Sequence, residues 1–226
     1  IDPEKGFLSP DDFISLLEEN RQITKLDLCI LREICREMCE RTANGKPVVP
    51  VSFNLSRIDF QECDIFSEVE KIVSEYGISR DMINVEITES TIMEDPDALM
   101  RDIKRFRDGG YQVWMDDFGS GYSSHNVLKD YEFDEIKLDM KFMSSFDEKS
   151  KKIVKSIISM AKQIGVQTLA EGVETQEQFD FLRYIGCEKV QGYFFSRPLP
   201  SEQLEKTGLA EPENMEPSAM KGYYNS

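Results

Sequence analysis

The sequence predicts an α/β fold in which parallel strands, each followed by a helix, close into a barrel. Two observations carry this expectation. Short apolar runs of strand length alternate with amphipathic runs of helical period along most of the 226 residues. Strands joined by single helices take right-handed crossovers and run parallel. Six predicted strands also carry, at or near their ends, a residue foreign to a core: Asn54, Glu86, Asp116, Lys137, Glu171 and Gln191. These are 20 to 34 residues apart, a spacing that fits one strand-helix unit. A parallel barrel puts every strand C-terminus on one rim, whereas an open doubly wound sheet gathers functional groups only near its switch point.

The elements follow in order. Ser9-Pro10-Asp11-Asp12 reads as a helix start, with a cap, a proline at the first helical position and an acid three residues on. That helix runs to about Glu19. A longer amphipathic helix spans about Thr24 to Arg41, with Leu26, Ile30, Ile34 and Met38 on one stripe, and Asn44-Gly45 stops it. Val48 to Leu55 is a strand, Ile65 to Tyr76 a helix and Ile83 to Thr88 a strand. Asp95-Pro96 opens a helix to about Arg107, ended by Gly109-Gly110. Tyr111 to Asp116 is a strand, with a short helix near Ser123 to Lys129. Strands over Glu135 to Asp139, Gln167 to Ala170 and Lys189 to Phe195 alternate with helices over Ser150 to Ile164 and Thr175 to Tyr184. A last helix follows Pro200. The domain is expected over 1–205, with 206–226 a polar, proline-containing tail or linker.

Composition narrows the function. Hydrophobic residues make up 40% of the chain, enough for a substantial core. The net charge of -16 argues against a nucleic-acid polymer as partner, since polymer binding needs a basic stripe. Five cysteines without close pairing argue against a disulfide framework and for a reducing, cytoplasmic setting. Cys35 and Cys39 share a helical face, but they read as small buried residues and not as a metal pair. The single histidine, His125, leaves no basis for imidazole-built zinc chemistry.

The chemistry centres on Trp114-Met115-Asp116-Asp117-Phe118-Gly119-Ser120-Gly121. An apolar strand runs into two adjacent carboxylates and then a glycine turn. Neighbouring carboxylates repel unless a cation lies between them, and burial sharpens the repulsion. Asn54, Glu86, Asp116, Asp117 and Glu171 offer hard oxygen ligands suited to Mg2+ or Mn2+. Two such metals sharing a carboxylate serve in-line displacement at phosphorus. Lys137 can orient a hydroxide or neutralise charge on phosphate oxygens, and Gln191 can hydrogen-bond water or ligand. Each residue alone has a plainer explanation. Asn54 suits a turn, Lys137 a surface, and Glu174 the start of the next helix. All six strand ends holding such explanations at matched spacings is the weaker reading.

These motifs resemble the EAL domain family, the cyclic-di-GMP-specific phosphodiesterases of bacterial second-messenger signalling. The resemblance runs from about Ile1 to Pro200. It rests on Val51-Ser52-Phe53-Asn54-Leu55-Ser56, Glu86-Ile87-Thr88-Glu89-Ser90, Asp116-Asp117-Phe118-Gly119-Ser120-Gly121-Tyr122-Ser123-Ser124 and Ile136-Lys137-Leu138-Asp139. Ala170-Glu171-Gly172-Val173-Glu174, Gln191-Gly192-Tyr193 and Arg197-Pro198-Leu199-Pro200 complete it. The resemblance implies a TIM-like (β/α)8 barrel whose first two strands, with the Glu-Ala-Leu motif, are missing from this chain.

It also implies metal-dependent opening of cyclic di-GMP to the linear dinucleotide pGpG, with two Mg2+ or Mn2+ ions per active site. Asn54, Glu86 and Asp116 would hold one ion, and Asp116, Asp117 and Glu171 the other. Lys137 would position the attacking water, with Glu171 assisting its deprotonation. Glu89 resembles the glutamate that steadies the loop after the double aspartate. Glu174 and Gln191 would support the water shell or the ligand. The resemblance further implies a homodimer, a cytoplasmic domain, and regulatory domains in a parent protein that could itself be membrane-tethered. The reading from a different class is a catalytically inactive receptor that binds cyclic di-GMP. A third is a barrel hydrolase of another phosphodiester. His125 departs from the usual apolar residue and is expected to alter packing, not chemistry.

Overall fold

The computed structural model describes residues 9–10, 13–89, 91, 96–119 and 128–199. Six strands form one parallel sheet in sequence order: β1 (Val51–Leu55), β2 (Ile83–Thr88), β3 (Gln112–Phe118), β4 (Glu135–Leu138), β5 (Gln167–Ala170) and β6 (Lys189–Val190). Every neighbouring pair is parallel, as single-helix crossovers require. Among the described residues the sheet is not closed, so β1 and β6 are its edges.

The helices are α1 (Ile14–Glu19), α2 (Ile23–Ala43), α3 (Arg57–Glu62), α4 (Ile65–Tyr76), α5 (Pro96–Asp108), α6 (Lys141–Ser144), α7 (Glu148–Ile164) and α8 (Gln176–Ile185). Strand alternation sorts the side chains. On β2, Ile83, Val85 and Ile87 are fully buried against helices, and Asn84, Glu86 and Thr88 take the other face. The helix-facing side builds the core with Phe53, Leu55, Val113, Met115, Ile136 and Leu138. Phe106 of α5 meets Phe66 and Tyr111 edge to face, with ring centroids 5.3 and 5.7 Å away. The opposite side of the sheet carries the polar residues Asn84, Glu86, Glu135 and Lys137.

Several expectations shift. The Ser9-Pro10 start does not cap α1. Phe13 N–H closes a turn onto the Pro10 carbonyl at 3.1 Å, and the helix begins at Ile14. The buried stripe of α2 is Ile23, Asp27, Leu31, Cys35 and Met38, while Ile30 is exposed. The apolar stripe read from sequence is rotated because a carboxyl, Asp27, lies on the core side. The first strand starts at Val51, not Val48, since Pro50 has no N–H to offer a ladder.

β3 runs two residues beyond Asp116 to Phe118, and β6 stops at Val190, well short of Phe195. Tyr193 to Phe195 form a turn instead, with Phe195 N–H bonded to the Gly192 carbonyl. Two short helices, α3 and α6, went unanticipated. α3 is started by Asp59, whose carboxylate accepts the Ser56 N–H at 2.6 Å. Asp95, most of the helix near Ser123 to Lys129, His125, the helix after Pro200 and the 206–226 tail lie outside the described residues. All five cysteines are free, with Cys35 buried and Cys39 Sγ donating to the Tyr76 carbonyl at 3.3 Å. No helix among the described residues is long and apolar enough to cross a membrane.

Candidate active site

The strand ends bring four of the expected residues to one point. Lys137, on the interior face of β4, is buried, and its Nζ lies 2.8 Å from Glu86 Oε2, 2.9 Å from Asp116 Oδ1 and 3.0 Å from Glu171 Oε1. The register explains the meeting. Glu86 of β2 pairs with Trp114 of β3, Thr88 with Asp116, and Leu138 with Ala170, which delivers Glu171 one residue later. Lys137 sits between them because alternation sends Ile136 and Leu138 into the core.

Electrostatics makes this a strained balance of charges. Burial opposes the Lys137 ammonium, but Glu86, Asp116 and Glu171 overcome it and hold the lysine firmly protonated. Burial pushes the Glu171 carboxyl up; Lys137 pulls it down, while Asp116 and Glu86 push it further up. Asp117 is raised by burial, by Asp116 and by Asp139.

Asp117 marks a break in the ladder. It has φ 54°, and the β3–β4 register shifts between Met115 and Phe118. Asp117 is exposed at this bulge, and its N–H bonds Asp116 Oδ1 at 3.0 Å. Gly119 follows at φ 96°, and a Cβ there would lie 2.6 Å from the Phe142 ring, so the position requires glycine. Its N–H donates to Glu89 Oε2 at 3.4 Å, and Glu89 is itself buried. Gly121 and the rest of that loop lie outside the described residues.

The remaining expected residues stand apart from this cluster. Asn54 pairs in register with Glu86 and is exposed on the rim. It borders a cleft of about 340 Å3, lined also by Glu18, Asp27, Ser56, Thr88 and Thr91. Glu174 is exposed, and its N–H bonds Gln178 Oε1 at 2.7 Å in the cap of α8. Gln191 is tied by its backbone to Ala170 and Val173, with its side chain exposed. Gly192 packs so closely on Val173 that a Cβ would lie 2.1 Å from its carbonyl oxygen.

Reading the strand ends alone overlooked Asp139, which is buried, acts on Asp117 and accepts the Lys141 N–H at 2.9 Å. It also overlooked Glu135, fully buried two residues before Lys137. Strand parity was the available signal, since residues 135 and 137 share a face.

Among the described residues no three histidine, cysteine or carboxylate side chains already form a cation-holding group. Three of the expected ligands converge on an ammonium instead. The donor set nonetheless suits a hard cation. It offers oxygens only, and four carboxylates (Glu86, Asp116, Asp117 and Glu171) stand against one ammonium. Burial raises Glu171 and Asp117, and neighbouring carboxylates raise both further.

The family model for the EAL domain matches residues 1–198. The chain belongs to the EAL domain family. This EAL domain is 35% identical over 206 residues to the cyclic di-GMP phosphodiesterase NbdA of Pseudomonas aeruginosa, covering 90% of the chain and 26% of that protein. It is 35% identical over 205 residues to the oxygen sensor protein DosP of Escherichia coli, covering 90% of the chain and 26% of DosP. The chain thus spans about a quarter of the length of these curated relatives. Among solved structures, the PaMucR phosphodiesterase in complex with c-di-GMP matches with a TM-score of 0.84 at 32% identity. That match covers 90% of this EAL domain and 83% of the other chain. The neighbours are TIM-like barrels, and the six parallel strands correspond to part of that architecture.

Proposed function

We propose that this EAL domain hydrolyses cyclic di-GMP to the linear dinucleotide pGpG with Mg2+ or Mn2+. The observation that carries the reading is the buried Lys137 ammonium held by Glu86, Asp116 and Glu171 at the strand ends. Relatives named as cyclic di-GMP phosphodiesterases support the substrate class.

Asn54, Glu86 and Asp116 would hold one metal ion, and Asp116, Asp117 and Glu171 a second. When bound, such ions supply Lewis acidity toward phosphate oxygens and lower the pKa of water. The chain's own groups do the rest. Lys137 orients the attacking water and offsets charge that grows on the phosphate oxygens. Glu171, with its carboxyl raised by burial, is suited to take the water's proton. The hydroxyl adds to phosphorus, one P–O ester bond breaks, and the proton ends on the departing sugar oxygen. Glu89 holds the turn after the double aspartate through Gly119. Glu174 and Gln191, at the rim, support the ligand or its water shell. A homodimer, with regulatory domains in a parent protein, completes the proposal.

The test is incubation of the chain, alone and with whatever coding sequence precedes Ile1, with cyclic di-GMP and Mg2+ or Mn2+. Chromatography should show pGpG, and chelation should stop its formation. Tight binding without product in either form would overturn hydrolysis and leave a receptor of the same ligand.

A further inference from the structure

A second charged layer lies beneath the candidate site. Glu135, on the same face of β4 as Lys137 and one pleat below it, has a side chain fully removed from solvent. Its Oε2 accepts from Lys189 Nζ at 2.6 Å. Lys189 reaches across β5 from the edge strand, since Leu169 pairs with both Lys137 and Lys189. The same ammonium lies 4.6 Å from the centre of the Trp114 ring, and Trp114 is fixed by its Nε1–H bond to Gln112 Oε1 at 3.0 Å. The other oxygen, Glu135 Oε1, is buried with no hydrogen-bond partner among the described residues. A buried anion in that state needs a positive field beyond its one ion pair.

On this face of the sheet Lys189 pairs with Glu135, and one pleat along β4 Lys137 pairs with Glu86. Burial raises the Glu135 carboxyl, Lys189 lowers it, Glu86 raises it and Lys137 lowers it, so the upper layer is felt at Glu135. Above Lys137, three carboxylates draw its ammonium toward the rim. Glu135, one pleat away on the same face, places an opposite charge on the other side of that ammonium.

We propose that the Glu135–Lys189 pair is a positioning device for Lys137, setting from beneath where that ammonium rests among the three carboxylates. Lys189, steadied on Trp114, holds the Glu135 carboxyl in place, and Glu135 then sets where Lys137 rests. In its catalytic consequence the inference rests on the hydrolysis proposed above.

Three variants test it. Glu135→Gln should lower kcat about tenfold with KM within about twofold, as expected for a residue acting through another. Lys189→Arg keeps the charge and should keep kcat. The exchange Glu135→Lys with Lys189→Glu restores the ion pair but puts a like charge below Lys137. It should recover melting temperature and not kcat. Recovery of both would reduce the pair to a structural contact and overturn the proposal, as would an unchanged kcat in Glu135→Gln. A readout independent of turnover is the lysine ammonium 1H–15N spectrum without metal. The Lys137 signal, assigned by its loss in Lys137→Met, should shift or broaden in Glu135→Gln. If the wild type gives no pGpG, the hydrolysis reading fails alone, and an unmoved Lys137 signal would still sink the positioning role.

Discussion

Lys137 is the hub of the buried charge cluster at the strand ends. It is 8% exposed and contacts three carboxylates at 3.0 Å or less. Removing such a charge leaves its partners buried and uncompensated, at a cost of about 3–5 kcal/mol. Lys137→Met is therefore expected to lower stability by that order in denaturant titrations without divalent cation. Added Mn2+ should recover part of the loss, because the same oxygens can then close on the metal. Turnover should not return. Gly119 is the second decisive residue. Its φ of 96° and the Phe142 ring 2.6 Å from any added Cβ make Gly119→Ala costly by about 1–3 kcal/mol. The variant should also slow hydrolysis, since Glu89 steadies the turn through the Gly119 N–H.

At the scale of elements, the junction of α2 with α3 stores a proton. Burial, then the neighbouring Asp59, then Glu18 raise the Asp27 carboxyl to about 8. Between pH 3.8 and about 8 the folded chain holds a proton that the unfolded chain has released. Stability then falls as pH rises across that window. Asp27→Asn removes the ionisable group and should flatten this slope, gaining most near pH 8; melting temperatures from pH 5 to 8 would show it. An equal slope in both proteins would contradict the assignment. This buried carboxyl is also why the stripe of α2 was misjudged: periodicity counts apolar residues, and a protonated aspartate buried against another is invisible to it. The short helix α3 escaped for a related reason, since six residues carry too little period to detect.

At the scale of the molecule, the core lies between the helices and one face of the sheet, and the chemistry lies on the other. Phe106 is fully buried where α5 meets β3, in contact with Phe66 and Tyr111. Phe106→Ala should cost about 3–5 kcal/mol in equilibrium unfolding, with pGpG formation by the surviving folded fraction little changed. The amino-acid sequence by itself determined the parallel α/β order, because strand and helix periods and their alternation are local properties. It also determined the convergence of Glu86, Asp116, Lys137 and Glu171, because a parallel sheet sends every strand end to one rim. Only the tertiary structure decided that Lys137 sits at the centre of three carboxylates. The break in the ladder at Asp117 and the Glu135–Lys189 layer beneath were decided there too. Those depend on register and burial, which join residues up to 54 positions apart, and no local pattern encodes a distance of 3 Å between them.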